Sequence, residues 1–355
     1  MSQMGILVFL TYAMKGSHAL RMCRAVRDAG LDVSVAYYVA AEGAYAEDAL
    51  EDFRVSERIL DLTRRPPRSF LQEVQNFIER NGVGLLIQVG CEPMYPYLAE
   101  LRERHKDLKL LDVLYNEVGH TVSHFLFENA FDAVVVESDY MAKRVVDHSE
   151  KSAPRVHVVE NGVDIDRFAF SSRPRSDRRL VVGYVGRMSP EKNPAGFVAL
   201  AKALIASTDG LEFRLFGEGP LLSQIKDAIC DTRSNRITYE GFRERVEVAL
   251  DEIDVLVVPS LLDGRPNIIM EANAAGVPVI AAPVGGIPEM IDDGVNGYVS
   301  RPDEVGRLRS LFESWLASPQ TLTELSIGAR HVAVTRFSAQ RMVDGYKRTF
   351  ASYLS

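Results

Sequence analysis

Two doubly wound α/β domains, each a parallel sheet flanked by helices, are the architecture this sequence predicts. Three observations carry that expectation. The chain has 355 residues, too many for one ordinary α/β domain and comfortable for two. Short apolar runs alternate with helix-length segments along nearly its whole length. One polar, turn-rich break lies between residues 161 and 177, and the alternation restarts after it. Strands joined by helix-length connections pair in parallel, so each half reads as a stack of βαβ units.

In order, the first domain is expected to hold strands at 5–12, 31–39, 58–62, 84–89, 109–115, 132–137 and 156–159. Helices are expected between them at 17–29, 69–80, 95–104 and 139–147, with Asp139 capping the last. Turn residues in Asn161-Gly162-Val163-Asp164 and in 171–176 mark the hinge, which sets the domains at 1–168 and 169–355. The second domain then has strands at 180–185, 211–216, 236–239, 254–258, 279–282 and 298–299. Its helices are expected at 194–206, 221–230 and 246–251, with a mostly helical tail over 303–354 belonging to it.

Composition excludes several classes. With 46% hydrophobic and 25% charged residues the chain is neither disordered nor fibrous. A net charge of −8, from 49 acids against 41 bases, disfavours nonspecific binding to nucleic acid. Cys23, Cys91 and Cys230 are too few for a disulfide framework and lack metal-ligand spacing, so they read as packing residues in a reducing cytoplasm. The start of the chain enters a strand without a basic region or cleavage site, which is unlike a signal peptide. No apolar run approaches membrane-spanning length. A cytoplasmic protein is expected, with peripheral association at the inner membrane face left open.

The chemistry gathers in 254–282, which reads strand, loop, helix, strand. Asp263 and Glu271 bracket the helix N-terminus there, at the carboxyl end of a parallel strand, where ligands bind and free N–H groups face an anion. A ligand bearing both phosphate and hydroxyls suits such a place. Arg187 and Lys192, in Gly186-Arg187-Met188-Ser189-Pro190-Glu191-Lys192-Asn193-Pro194, follow the first strand of the second domain. A guanidinium fork and an ammonium can neutralise a departing diphosphate without a metal. Gly217-Glu218-Gly219-Pro220 allows backbone to approach a ligand, but it lacks the third glycine of a dinucleotide fingerprint and reads equally as a tight turn.

These segments, with Gly183-Tyr184-Val185 before Gly186 and Tyr239-Glu240-Gly241-Phe242, resemble the retaining GT-B glycosyltransferases of family 4. Asn161 to Asp164 is similar to that family's hinge, and Pro283 to Glu289 followed by Asp293 to Tyr298 also matches. The likeness is strong from about 161 to 303 and thin in the first domain.

The resemblance implies a sugar-nucleotide donor in the second domain and an acceptor, glycan, lipid-linked or small, held mainly by the first. It implies no cofactor. Arg187 and Lys192 then meet the diphosphate, Glu271 the ribose hydroxyls, and Asp263 the transferred sugar, where the family usually has Glu. Gly186, Gly217, Phe242 and Gly264 fall within the donor motifs. The usual Gly-Phe-Gly becomes Gly264-Arg265-Pro266-Asn267, and since Pro266 has no N–H, backbone donation falls to Arg265, Asn267 and Ile268. The Arg265 side chain either meets an anionic group or points to water, the commoner fate of Arg.

In the first domain, Gly16 stands for the family's glycine-rich loop, with Lys15 and His18 beside it. His120 matches the His that touches the donor sugar, with His124 as runner-up and Glu117 as the nearest carboxylate. Uridine diphosphate sugars are the commoner donors in the resembled family, ahead of guanosine diphosphate mannose. Two other readings stay open: an epimerase or hydrolase acting on sugar nucleotides, and a noncatalytic module that binds them.

Overall fold

A computed structural model describes residues 4–10, 17–38, 47–63, 65–151, 155–170 and 179–354. Contacts divide the chain into two units, one of Met1–Glu160 with Met342–Ser355, the other of Asn161–Arg341.

The first unit is built on β1 (Gly5–Leu10), β2 (Val33–Tyr37), β3 (Ile59–Asp61), β4 (Val83–Val89), β5 (Lys109–Leu114), β6 (Ala133–Val136) and β7 (Val156–Val158). They pair in parallel in the order β3-β2-β1-β4-β5-β6-β7. β1, β2 and β4 are buried along their whole length, which is why they read as unbroken apolar runs rather than alternating ones. Helices α1 (His18–Asp28), α2 (Glu51–Val55), α3 (Phe70–Asn81), α4 (Leu98–Arg104), α5 (His120–Phe127) and α6 (Asp139–His148) cover the faces.

Three local details differ from expectation. The cap of α6 is Ser138, whose side chain accepts from the Met141 N–H at 3.1 Å, and Asp139 is the first helical residue. Helix α2 occupies a stretch that the apolar pattern left unassigned. It is tied to α1 by Asp52, which accepts from Arg24 Nε at 3.0 Å and from Arg27 Nη2 at 2.8 Å. Of the cysteines, Cys23 and Cys91 are buried as packing residues, whereas Cys230 is exposed.

The hydrogen bonds from Arg24, joined by those from Arg27, hold the Asp52 carboxyl down from its ordinary 3.8 to about 2. A depressed acid stabilises the fold above its unfolded pKa and loses that contribution as pH falls through the folded value. Asp52 is a third exposed, and solvent screening trims the gain to about 1 kcal/mol. Asp52→Asn should therefore be less stable than the unaltered protein at pH 6, and in paired unfolding curves the gap should narrow below about pH 4 and close only as pH falls through about 2.

The second unit repeats the plan. Strands β8 (Leu180–Val185), β9 (Leu211–Phe216), β10 (Ile237–Gly241), β11 (Val255–Val258), β12 (Val279–Ala281) and β13 (Gly297–Val299) pair in parallel in the order β10-β9-β8-β11-β12-β13. Around them lie α7 (Pro194–Ile205), α8 (Leu222–Cys230), α9 (Val246–Asp251), α10 (Asn267–Ala274), α11 (Val305–Ala317) and α12 (Pro319–Arg336).

The domain boundary is displaced from 168. Residues 161–168 pack with the second unit, where Val163 and Phe168 join the core containing Phe337. The tail is shared. Helix α13 (Ala339–Ala351) runs from the second unit into the first, where Met342, Tyr346, Phe350 and Tyr353 bury themselves against β1, β2 and α1 residues. Among the described residues no helix is long and apolar enough to cross a membrane.

Candidate functional site

In the second sheet β9 lies on one side of β8 and β11 on the other, so chain order reverses between β8 and β11. Ligands of open parallel sheets settle outside the carboxyl ends of the strands at such a reversal. Two cavities open there. The first, of about 190 Å³, is lined by Gly186, Lys192, Ser260, Asp263, Asn267 and Ile268, among others. The second, of about 420 Å³, is lined by Gly186, Arg187, Gly217, Phe242 and Arg243, among others. Gly186 belongs to both.

The loop after β8 is held at its far end by Asn193. This residue adopts a left-handed conformation (φ 53°, ψ 49°) and caps α7 by accepting from the Gly196 N–H at 3.0 Å. Its Nδ2 donates to the Pro259 carbonyl at 3.0 Å, joining the loop to the end of β11. Lys192 immediately precedes it. The ammonium lies 2.6 Å from Asp263 Oδ2, which also accepts from the Ser260 hydroxyl at 3.0 Å. These two donors hold a carboxylate whose side chain is only 10% exposed. Nearby, burial, with Glu191 and Asp263 adding, pushes the Tyr184 phenol up, and its hydroxyl donates to the Arg187 carbonyl at 2.7 Å. A neutral phenol thereby fixes the backbone of the arginine that borders the larger cavity.

Helix α10 begins directly after Pro266 (φ −66°), so Asn267 and Ile268 supply its first N–H groups. Helix geometry leaves those groups without an intrahelical acceptor, and they carry the positive end of the dipole. Both residues line the smaller cavity, beside Lys192.

Two glycines are required by close backbone approach. Gly217 has φ 131°, and a Cβ there would lie 1.9 Å from the Gly186 carbonyl oxygen. The loops after β8 and β9 are thus pressed together, with Met188 N–H donating to the Glu218 carbonyl at 2.8 Å. Gly285 (φ 54°) would place a Cβ 1.8 Å from the Asp263 carbonyl oxygen, and Gly286 N–H donates to the Gly264 carbonyl at 3.1 Å. The segment after β12 therefore buttresses the loop that carries Asp263.

Gly186, Arg187, Lys192, Gly217, Phe242, Asp263, Asn267 and Ile268 are brought together on the two cavities. Arg187 is exposed, and Phe242 is 59% exposed, an uncovered ring at the rim. Glu271 lies half-buried on α10, one helical turn beyond Asn267 and on the same face. Arg265 departs from the solvent reading: it is 4% exposed, and its Nε donates to Asn161 Oδ1 at 3.1 Å.

In the first unit, Gly16 and Lys15 lie outside the described residues. His120 is the first residue of α5, and its side chain also lies outside them. His124 is a core residue. Its Nδ1 is 2.9 Å from Asp112 Oδ2, which also accepts from the Tyr95 hydroxyl at 2.9 Å, and all three are buried. Glu117 is engaged by Arg144 at 3.1 Å and by the Tyr140 hydroxyl, whose pKa that bond raises. His18 Nε2 is 3.0 Å from Glu137 Oε1.

Sequence reasoning passed over Ser260, Asn193 and Asn161 as side chains of the site. Asn193 carried a signal, since Asn followed by Pro is a cap followed by a preferred first helical residue. Ser260 carried none.

Residues 179–317 match the model of the family described as "Glycosyl transferases group 1". The D-inositol 3-phosphate glycosyltransferase of Mycobacterium marinum is 27% identical over 227 residues, 59% of this chain and 46% of that protein. The amylovoran biosynthesis glycosyltransferase AmsK of Erwinia amylovora is 26% identical over 195 residues, 52% of this chain and 48% of that protein. The chain spans about half the length of the curated relatives it matches. Among solved structures, Anabaena Alr3699/HepE in complex with UDP superposes with a TM-score of 0.80 at 19% identity, over 98% of this chain and 100% of that one. The lipopolysaccharide outer core galactosyltransferase WaaB gives 0.78 at 14%, over 98% and 99%. At such identities the likeness bears on the fold, which is that of the GT-B glycosyltransferases. Through residues 179–317, this chain is similar to the group 1 glycosyl transferases.

Proposed function

We propose that this protein is a retaining, metal-independent glycosyltransferase that moves a sugar from a nucleoside diphosphate, a uridine diphosphate sugar first, to a glycan or lipid-linked acceptor. The observation that carries the reading is the convergence of Arg187, Lys192 and the start of α10 on two cavities that meet at Gly186. One cavity has an uncovered aromatic rim at Phe242, suited to a base. The other has the ammonium and helix N–H groups that a diphosphate needs.

In this reading the bond between the sugar's anomeric carbon and the diphosphate oxygen breaks first. Lys192, Arg187 and the N–H groups of Asn267 and Ile268 take up the charge left on the diphosphate. The acceptor hydroxyl then attacks the anomeric carbon on the face the diphosphate has left, and its proton passes to the departing oxygen. Asp263, once Lys192 turns to phosphate, is free to accept from a sugar hydroxyl, and Glu271 takes the ribose. The role of His120 rests on the family resemblance alone. Supporting the reading are the group 1 match and relatives named as glycosyltransferases. The HepE structure, which holds UDP, lends the choice of base.

A thermal-shift screen of nucleoside diphosphates and their sugars tests this directly. At a hundred times its dissociation constant a ligand adds about 2.7 kcal/mol of stability. UDP and UDP-sugars should raise the melting temperature, with nucleic acids and free sugars giving none. Absence of a shift with every nucleoside diphosphate would remove the reading. Rapid, stoichiometric donor conversion without acceptor would replace it by an epimerase or hydrolase.

A further inference from the structure

The inside of the Arg265 loop holds a buried polar network that no catalytic step above uses. Asn161, the first residue of the second unit, is 2% exposed, and Arg265 is 4% exposed. Asn161 Oδ1 accepts from Arg265 Nε at 3.1 Å. Its Nδ2 donates to the Arg265 carbonyl at 3.2 Å and to Asn267 Oδ1 at 3.0 Å. A guanidinium can only donate and a carbonyl can only accept, so the amide has one orientation that satisfies both. The guanidinium also lies 5.8 Å from the centre of the Phe337 ring, which packs in the same core as Val163.

Asn161 thus grips the chain on both sides of Pro266, the one residue of this loop that can donate nothing through its backbone. Pro266 fixes its own φ, and the two anchors fix what precedes and follows it. Together they set the direction in which α10 begins, and with it the aim of the Asn267 and Ile268 N–H groups. We propose that Asn161 and Arg265 are positioning residues for the diphosphate: they touch no ligand, and they hold the start of α10 where a phosphate meets it. The inference rests on the donor-binding reading above and adds to it the part of the chain that makes the helix start rigid. Here the Arg that replaces an aromatic residue of the resembled family tunes the site from behind.

The test compares binding of UDP and of uridine, and of GDP and guanosine in parallel, to the unaltered protein, Asn161→Ala and Asn161→Asp, by calorimetry and ligand-observed NMR. Uridine lacks the diphosphate and does not use the start of α10. Small misplacements of binding groups are costly, so Asn161→Ala should weaken UDP by about tenfold and leave uridine within about twofold. Asn161→Asp keeps the volume and the acceptor for Arg265 but loses both N–H donations, and it should show the same selective loss if the alanine variant fails to fold. Equal loss of UDP and uridine would mean a merely structural role and would overturn the proposal, as would unchanged UDP affinity. If the unaltered protein binds neither UDP nor GDP, the function itself falls and the positioning role with it.

Discussion

Lys192→Ala is expected to lower turnover by about a hundredfold or more, the cost of removing one preorganised donor from a developing oxyanion, about 3 to 4 kcal/mol. The side chain has a second role that sharpens this expectation. Its ammonium sits 2.6 Å from Asp263 Oδ2, so its removal leaves a nearly buried carboxylate with the Ser260 hydroxyl, facing the place where a diphosphate has to enter. An unmatched negative charge there opposes the substrate as well as the transition state. Donor KM should therefore rise along with the fall in kcat. Adding Asp263→Asn to Lys192→Ala should recover part of the donor affinity and little of the turnover. Initial rates of nucleoside diphosphate release measure both parameters, and near-normal turnover in Lys192→Ala would take Lys192 out of the mechanism.

Gly217→Ala should be among the most damaging single-methyl changes in the site. A Cβ at that position would sit 1.9 Å from the Gly186 carbonyl oxygen, and φ is 131°, a conformation that residues with side chains rarely adopt. Backbone cannot yield as a flexible side chain does, so the loops after β8 and β9 must separate. Strain at such a dihedral alone costs about 1 to 3 kcal/mol, and the overlap adds to it. Because Gly186 borders both cavities, the damage should appear in nucleotide affinity as well as in stability. Thermal unfolding and UDP titration of the variant read the two effects separately. A variant as stable as the parent, with unchanged affinity, would mean that the two loops are not locked together.

Much of this was legible in the chain. Strand β8 falls where the apolar run places it, because a strand buried on both faces writes itself as a continuous run bounded by turn residues, whereas β9 alternates buried apolar residues with half-buried Glu212 and Arg214 and is read from that period of two. Arg187, Lys192, Asp263 and Asn267 were legible because each stands just beyond a strand end or at a helix start, positions that parallel sheets devote to ligands. What escaped was set by distant partners. Arg265 is buried because Asn161, 104 residues away, accepts from it. His124 lies in the core because Asp112 and Tyr95 meet beneath it. The path of α13 escaped for a related reason: its amphipathic period says that Met342, Tyr346 and Phe350 are buried, not which sheet buries them. Helix α5 follows a turn-rich stretch, 116–119, and its apolar residues lack a clear period, so the segment looked like loop.

A nucleoside diphosphate is expected to lie across Gly186, between Phe242 and the start of α10. A crystal structure with UDP at saturating concentration tests it most directly. The diphosphate is expected within hydrogen-bonding distance of Lys192 Nζ and the first N–H groups of α10, with uracil against the larger cavity. Nucleotide bound elsewhere, or both cavities empty at saturation, would contradict it.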